Sequence, residues 1–250
     1  APTVEMLDRL GLLDELKIAG ILKQDYQFRT VDGRILAAPH MSVLTPDDTA
    51  YPYNLHMPQH ELAQAILRNF LAIPGATVRW NTRVTGVEQK SDSVAVTVET
   101  DGGTSVIECD WLVGADGGSS TVRRALGLSF EGYTHPERLI STNLVYDFEA
   151  RGFARANFII DPTYWAVIVK IDRHGLWRVT YGEDASLPED KVQERIANHY
   201  RAILPDDGPY ELKAFAPFRV HERSAPRFRV GRVLLAGDAA HVCNPFGGLG

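Results

Sequence analysis

Two segments of this chain end in the same way, and no other feature constrains its fold as tightly. In the first, Leu112-Val113-Gly114-Ala115 delivers Asp116 into Gly117-Gly118, with Ser119-Ser120-Thr121-Val122-Arg123 behind it. In the second, Gly231 to Gly250 reads GRVLLAGDAAHVCNPFGGLG. An apolar run, Val233 to Ala236, stops at Gly237-Asp238, and three glycines fall within the four residues 247–250. A short apolar run bounded by Gly and Asp reads as a buried strand. A carboxylate at the carboxyl end of such a strand stands where nucleotide and polyol ligands sit in open α/β sheets. The two acids lie about 120 residues apart, too alike to be treated separately.

The segments around them read as alternating short helices and strands. Residues 3–19 have helical spacing broken by Gly11, which predicts two short helices. Asp32-Gly33 sits between two alternating runs and predicts a hairpin near 25–38. Residues 58–72 predict a helix opened by Pro58 and stopped by Pro74-Gly75. TVRW, RVTGVEQ, VAVTVET and TSVIECDWLVGAD then predict a strand meander, followed by a helix from Ser120 to Leu126. Strand-like runs fill 139–182, a polar helix follows in PEDKVQERIANHYRAIL, and KAFAPFRVHER leads into the terminal strand.

The expected fold class is therefore mixed α/β: a nucleotide-binding fold, incomplete here, with an inserted antiparallel substrate sheet. The expected domains are 1–130 and 226–250 for the nucleotide-binding part and 131–225 for the insert.

Composition removes several function classes. A net charge of −6 argues against nucleic acid as the partner, since phosphate binding draws on clustered Lys and Arg. No apolar run approaches the ~20 residues of a membrane span, and no signal-peptide pattern opens the chain. Two cysteines, Cys109 and Cys243, make no disulfide framework and point to a reducing cytoplasm. One His and one Cys near Asp238, His241 and Cys243, do not make a metal site, so no metal is expected.

Read locally, the helix after Asp116 offers free N–H groups suited to a phosphate, with the acid bridging through water or meeting a sugar hydroxyl. The same residues also read as an Asp-Gly turn with Ser119 or Ser120 as N-cap. Asp238 stands where a carboxylate accepts from polyol hydroxyls. Pro245 stiffens a loop whose Gly247, Gly248 and Gly250 let backbone approach a flat ring, or that is simply solvent-exposed. In LWRVTY, alternation puts Trp177, Val179 and Tyr181 on one face and Arg178 and Thr180 on the other. Tyr181 is then either a hydrogen-bond partner for a phenol or an ordinary packing aromatic.

GADGGSSTVR and GRVLLAGDAAHVCNPFGGLG together resemble the DG and GD motifs of the single-component FAD-dependent aromatic hydroxylases, the para-hydroxybenzoate hydroxylase family of group A flavoprotein monooxygenases. The likeness extends through PQHELAQAIL and RVTGVE. It implies that Asp238 holds the ribityl chain of FAD, and that Gly247, Gly248 and Gly250 lie against the cofactor. It also implies that Pro245 stands beside the flavin near where oxygen reacts, and that Asp116 and Arg123 serve the pyrophosphate and NAD(P)H use. By the same resemblance Gln59 touches the ribityl hydroxyls and the Val84 backbone meets adenine.

The implied reaction is NAD(P)H-driven hydroxylation of a phenolic or other aromatic substrate by molecular oxygen, through a flavin C4a-hydroperoxide. A flavin-dependent epoxidase of the same fold is the alternative, and the resemblance leaves a homodimer open. The family's opening GxGxxG is not found in the 250 residues. The chain is therefore expected to be a fragment, which by itself either binds FAD poorly without catalysis or retains the cofactor through the two acid-bearing motifs.

Overall fold

A computed structural model of the chain describes residues 2–245. Its elements begin with α1 (Pro2–Arg9), α2 (Leu13–Ala19), β1 (Ile21–Lys23), β2 (Gln27–Arg29), β3 (Ile35–Ala37), β4 (Asn54–His56) and α3 (Gln59–Leu71). Next come β5 (Arg83–Gln89), β6 (Val94–Thr100), β7 (Gly103–Cys109), β8 (Leu112–Gly114), α4 (Thr121–Ala125) and β9 (Glu131–Val145). Then follow β10 (Ala156–Ile159), β11 (Ala166–Lys170), β12 (Leu176–Asp184) and α5 (Val192–Ile203). The last are β13 (Glu211–Ser224), β14 (Arg229–Val230), β15 (Val233–Leu235) and β16 (His241–Val242). No helix among the described residues is long and apolar enough to cross a membrane.

The chain forms two compact units, Ala1–Ala76 with Glu137–Phe218 and Thr77–Pro136 with Arg219–Gly250. These are not the expected segments. Residues 1–76 join the antiparallel sheet because β2 pairs in parallel with β10, and Arg173 donates to the carbonyls of Lys17 and Gly20. The expected breaks near 130 and 225 are displaced because β9 and β13 are long strands that run from one unit into the other.

In the first unit β9, β12, β11 and β10 are antiparallel neighbours, then β2 and β3 complete the edge. The Asp32-Gly33 hairpin forms as predicted, with the Thr30 N–H donating to the Arg34 carbonyl at 2.9 Å. One face of this sheet buries Ile140, Leu144, Ile168, Trp177 and Val179. Helix α5 covers it with Val192, Ile196, Tyr200 and Ile203, a spacing of four, four and three residues that makes one helical stripe. The ion cluster of Arg138, Glu183 and Arg195 ties the start of α5 to the end of β12, with Arg138 Nη2 2.6 Å from Glu183 Oε1.

The second unit contains the meander β5–β6–β7 and a sheet of order β14–β15–β8. Val94, Val96, Val98, Val122, Val233 and Leu235 form its core. TVRW, expected as a strand, makes none, since residues 77–80 have no strand partner among the described residues.

Candidate functional site at two parallel strand ends

β8 and β15 are adjacent and parallel, with Leu112 opposite Val233, Val113 opposite Leu234 and Gly114 opposite Leu235. The Ala236 N–H donates to the Gly114 carbonyl at 2.9 Å, so the two chains leave the sheet side by side. Asp116 follows Gly114 by two residues and Asp238 follows Leu235 by three. The two acids, remote in sequence, thus occupy neighbouring loops at one carboxyl edge, the position at which open α/β sheets take ligands. Gly114 has a steric reason to be there: an added Cβ would lie 2.7 Å from the Val122 side chain. Gly237 has a conformational one, φ +56°, which an L side chain resists.

The first loop is organised inward. Asp116 Oδ1 accepts from the Ser120 hydroxyl at 2.5 Å, and Oδ2 accepts from the N–H groups of Thr121 at 2.7 Å and Val122 at 3.1 Å. Ser120 is the N-cap, its oxygen accepting from Arg123 N–H at 2.9 Å. Desolvation raises the Asp116 pKa, but the Ser120 hydroxyl and the backbone donors outweigh it and hold the carboxyl below its ordinary value. The expectation of free N–H groups at this helix start is therefore corrected. Thr121 and Val122 are already capped by Asp116, and α4 is only five residues long.

Arg123 is 5% exposed and spans both loops. Its Nη2 donates to the Gly118 carbonyl at 2.7 Å and its Nη1 to the Ala239 carbonyl at 2.9 Å. The guanidinium also lies over the Phe130 ring, 3.7 Å from its centroid. Its charge is spent on holding the loops together, a role that the DG-motif reading did not contain. No spacing in the sequence announces it, because Ala239 is 116 positions away.

Asp238 is exposed on a single 3-10 turn, Gly237–Ala239, and its carboxylate has no hydrogen bond among the described residues. Pro245 is exposed just beyond β16, while Gly247, Gly248 and Gly250 lie outside the described residues. His241 stacks with Phe228 at a centroid distance of 5.8 Å. Among the described residues no cluster of His, Cys, Asp and Glu could hold a metal ion.

Val84 sits on the edge strand β5, opposite Val98, with a bulge directly after it, and leans on the second unit's core. Gln59 opens α3 in the first unit, exposed, directly after Pro58. Tyr181, also in the first unit, is 2% exposed and stacks on His199 of α5 at 3.7 Å and 11°. Its hydroxyl is buried without a hydrogen-bond partner among the described residues. Arg178, on the opposite face of β12, is exposed and donates through Nε to Asn143 Oδ1 at 3.1 Å.

Known proteins share this arrangement. The chain is 44% identical over 252 residues to para-nitrophenol 4-monooxygenase of Pseudomonas sp. (strain WBC-3), covering all of this chain and 62% of that protein. It is 40% identical to 6-hydroxy-3-succinoylpyridine 3-monooxygenase HspB of Pseudomonas putida, covering 63% of it. The crystal structure of p-nitrophenol 4-monooxygenase PnpA from Pseudomonas putida DLL-E4 superposes with a TM-score of 0.95 at 41% identity, over all of this chain and 64% of that one. The chain thus spans less than two thirds of these relatives. The family model described as FAD binding domain matches residues 1–250. With its two acid-bearing loops at the ends of adjacent parallel strands, the chain belongs to the FAD binding domain family.

Proposed function

We propose that this chain carries part of the cofactor site of an FAD-dependent monooxygenase that uses NAD(P)H and molecular oxygen to hydroxylate a phenolic or other aromatic substrate. The observation that carries this reading is the parallel β8–β15 pair, which sets Asp116 and Asp238 on neighbouring loops. The donor set fits a flavin. Asp238 has an unengaged carboxylate for ribityl hydroxyls, and the loop after it carries the glycines a flat ring needs. The Val84 backbone, in the same unit as Asp238, would meet the adenine. Asp116 and Arg123 act at one remove: the first fixes α4, and the second fixes the separation of the two loops. Pro245 stands beside the flavin ring.

When bound, FAD supplies the redox chemistry that connects the nicotinamide to oxygen, and the protein supplies position and exclusion of water. The relatives support the substrate class, since their names state monooxygenation of para-nitrophenol and of a hydroxypyridine. Within β12 we assign Tyr181 to packing, because its hydroxyl points into the core. The exposed Arg178 and its partner Asn143 are the better polar contacts for a phenolic oxygen.

A fluorescence titration with FAD tests the reading. Asp238→Ala is expected to weaken binding about tenfold or more, since a hydrogen bond to a charged group is worth ~1.5–3 kcal/mol. The thermal transition should be unchanged, because the Asp238 carboxylate makes no hydrogen bond among the described residues. Equal FAD affinity in the variant would remove Asp238 from the site. An absence of FAD binding even by a chain extended to the length of its relatives would sink the whole reading.

A further inference from the structure

The first unit holds a cavity of about 240 Å³ lined by Arg29, Val31, Asp32, Phe153, Ile159 and Ile203, among others. Arg29 is 7% exposed, yet it has no carboxylate partner among the described residues. Its guanidinium donates two long bonds, Nη1 to the Gly152 carbonyl and Nη2 to the Gly33 carbonyl, each at 3.4 Å. The buried Nε has no acceptor among the described residues. The Phe153 ring lies against the cation, 3.7 Å from the guanidinium carbon to the centroid. Burial pushes the Arg29 pKa down. An arginine does not shed its proton inside a protein, so this charge stays, met among the described residues by two long carbonyl bonds and the Phe153 ring but by no salt bridge.

The walls select what would complete it. Val31, Phe153, Ile159 and Ile203 ask for an apolar body. Asp32, whose carboxylate accepts from the Thr30 hydroxyl, and the carbonyl end of α5 at Ile203 both put negative charge at the rim. Both oppose an anion in proportion to its charge, so a singly charged carboxylate is opposed less than a multiply charged phosphate. We propose that this cavity binds an organic monocarboxylate with a compact apolar body, the carboxylate taking the terminal N–H groups of Arg29, whose present bonds to the Gly152 and Gly33 carbonyls are long. The site uses none of the residues assigned to the flavin, so it stands or falls apart from the proposed activity.

The probe is cyclohexanecarboxylate, with cyclohexanecarboxamide as its neutral counterpart, titrated calorimetrically into the purified protein. The acid is expected to bind saturably at millimolar concentration or below, about tenfold or more tighter than the amide. Arg29→Met should lose that preference. A wild-type protein that takes up neither compound, or both equally, overturns the proposal. So does an Arg29→Met variant that still prefers the acid. Should that variant fail to fold, crystals of the wild type grown with the acid decide: density against the Arg29 terminal nitrogens supports the site, and its absence there overturns it.

Discussion

Arg123 and Tyr181 are both buried, and burial does opposite things for them. Arg123 finds two carbonyl acceptors, Gly118 and Ala239, whereas the Tyr181 hydroxyl finds no partner among the described residues. Removing the first leaves two carbonyls unpaired and separates the loops. Arg123→Met is expected to cost about 2–4 kcal/mol in urea unfolding and to weaken FAD binding as well. Removing the Tyr181 hydroxyl relieves an unpaired group. Tyr181→Phe should leave stability unchanged or raise it by about 1 kcal/mol, read from the same transition. The alternation in LWRVTY was enough to put Trp177, Val179 and Tyr181 on one face, but not to say which face is covered. That is decided by α5, a helix that begins eight residues after β12 ends. Pattern reports the period of a strand; the identity of its lid is a long-range fact.

At the scale of elements, α4 shows how little of a short helix is its own doing. Five residues cannot sustain a helix in water, and Asp116 and Ser120 supply its cap. Asp116→Ala is expected to cost about 1–2 kcal/mol near neutral pH. The folded pKa of this carboxyl lies below its unfolded value, so its contribution is complete above about pH 4. It is lost as pH falls through the folded value, so the difference between wild type and variant in urea melts should shrink to nothing in strong acid. Locally coded elements were legible in the sequence: the two helices either side of Gly11, the Asp-Gly hairpin and α3 all stand where their punctuation puts them. TVRW was not, because its composition is that of a strand while a strand needs a neighbour. The early start of β9, at Glu131, was hidden by the polar stretch that opens it.

Across the whole molecule, the division into two units follows from pairings that no local window contains. β2 meets β10 from 130 positions away, Gln27 opposite Asn157, and carries the first 76 residues into the antiparallel unit. That unit also holds both strongly perturbed histidines. Burial pushes His199 down to about 4. Burial, helped by Lys23, does the same to His56. A histidine with a depressed folded pKa contributes fully above its unfolded value of about 6.5, and stability falls as pH drops from there toward the folded value. The loss is up to about 3 kcal/mol for each ring by pH 4. The first unit should therefore unfold at a lower urea concentration at pH 5 than at pH 7.5, with His199→Phe flattening the difference. Trp165 and Trp177 lie in this unit and Trp80 and Trp111 in the other. Selective replacement of either pair by Phe would show by fluorescence which unit moves.

The parallel pair β8–β15 has a further consequence for how the chain is made. Among the described residues β8 has a single strand neighbour, and that neighbour ends at Leu235, roughly 120 positions after Gly114. At synthesis rates of about 5–20 residues per second, the ribosome needs about 6–24 s to deliver it. Throughout that interval Leu112–Gly114 is without the β15 partner it has in the fold, while α4, β9 to β12, α5 and β13 emerge after it. The loop pair that would grip a cofactor thus closes only after that interval, and its first half waits until then.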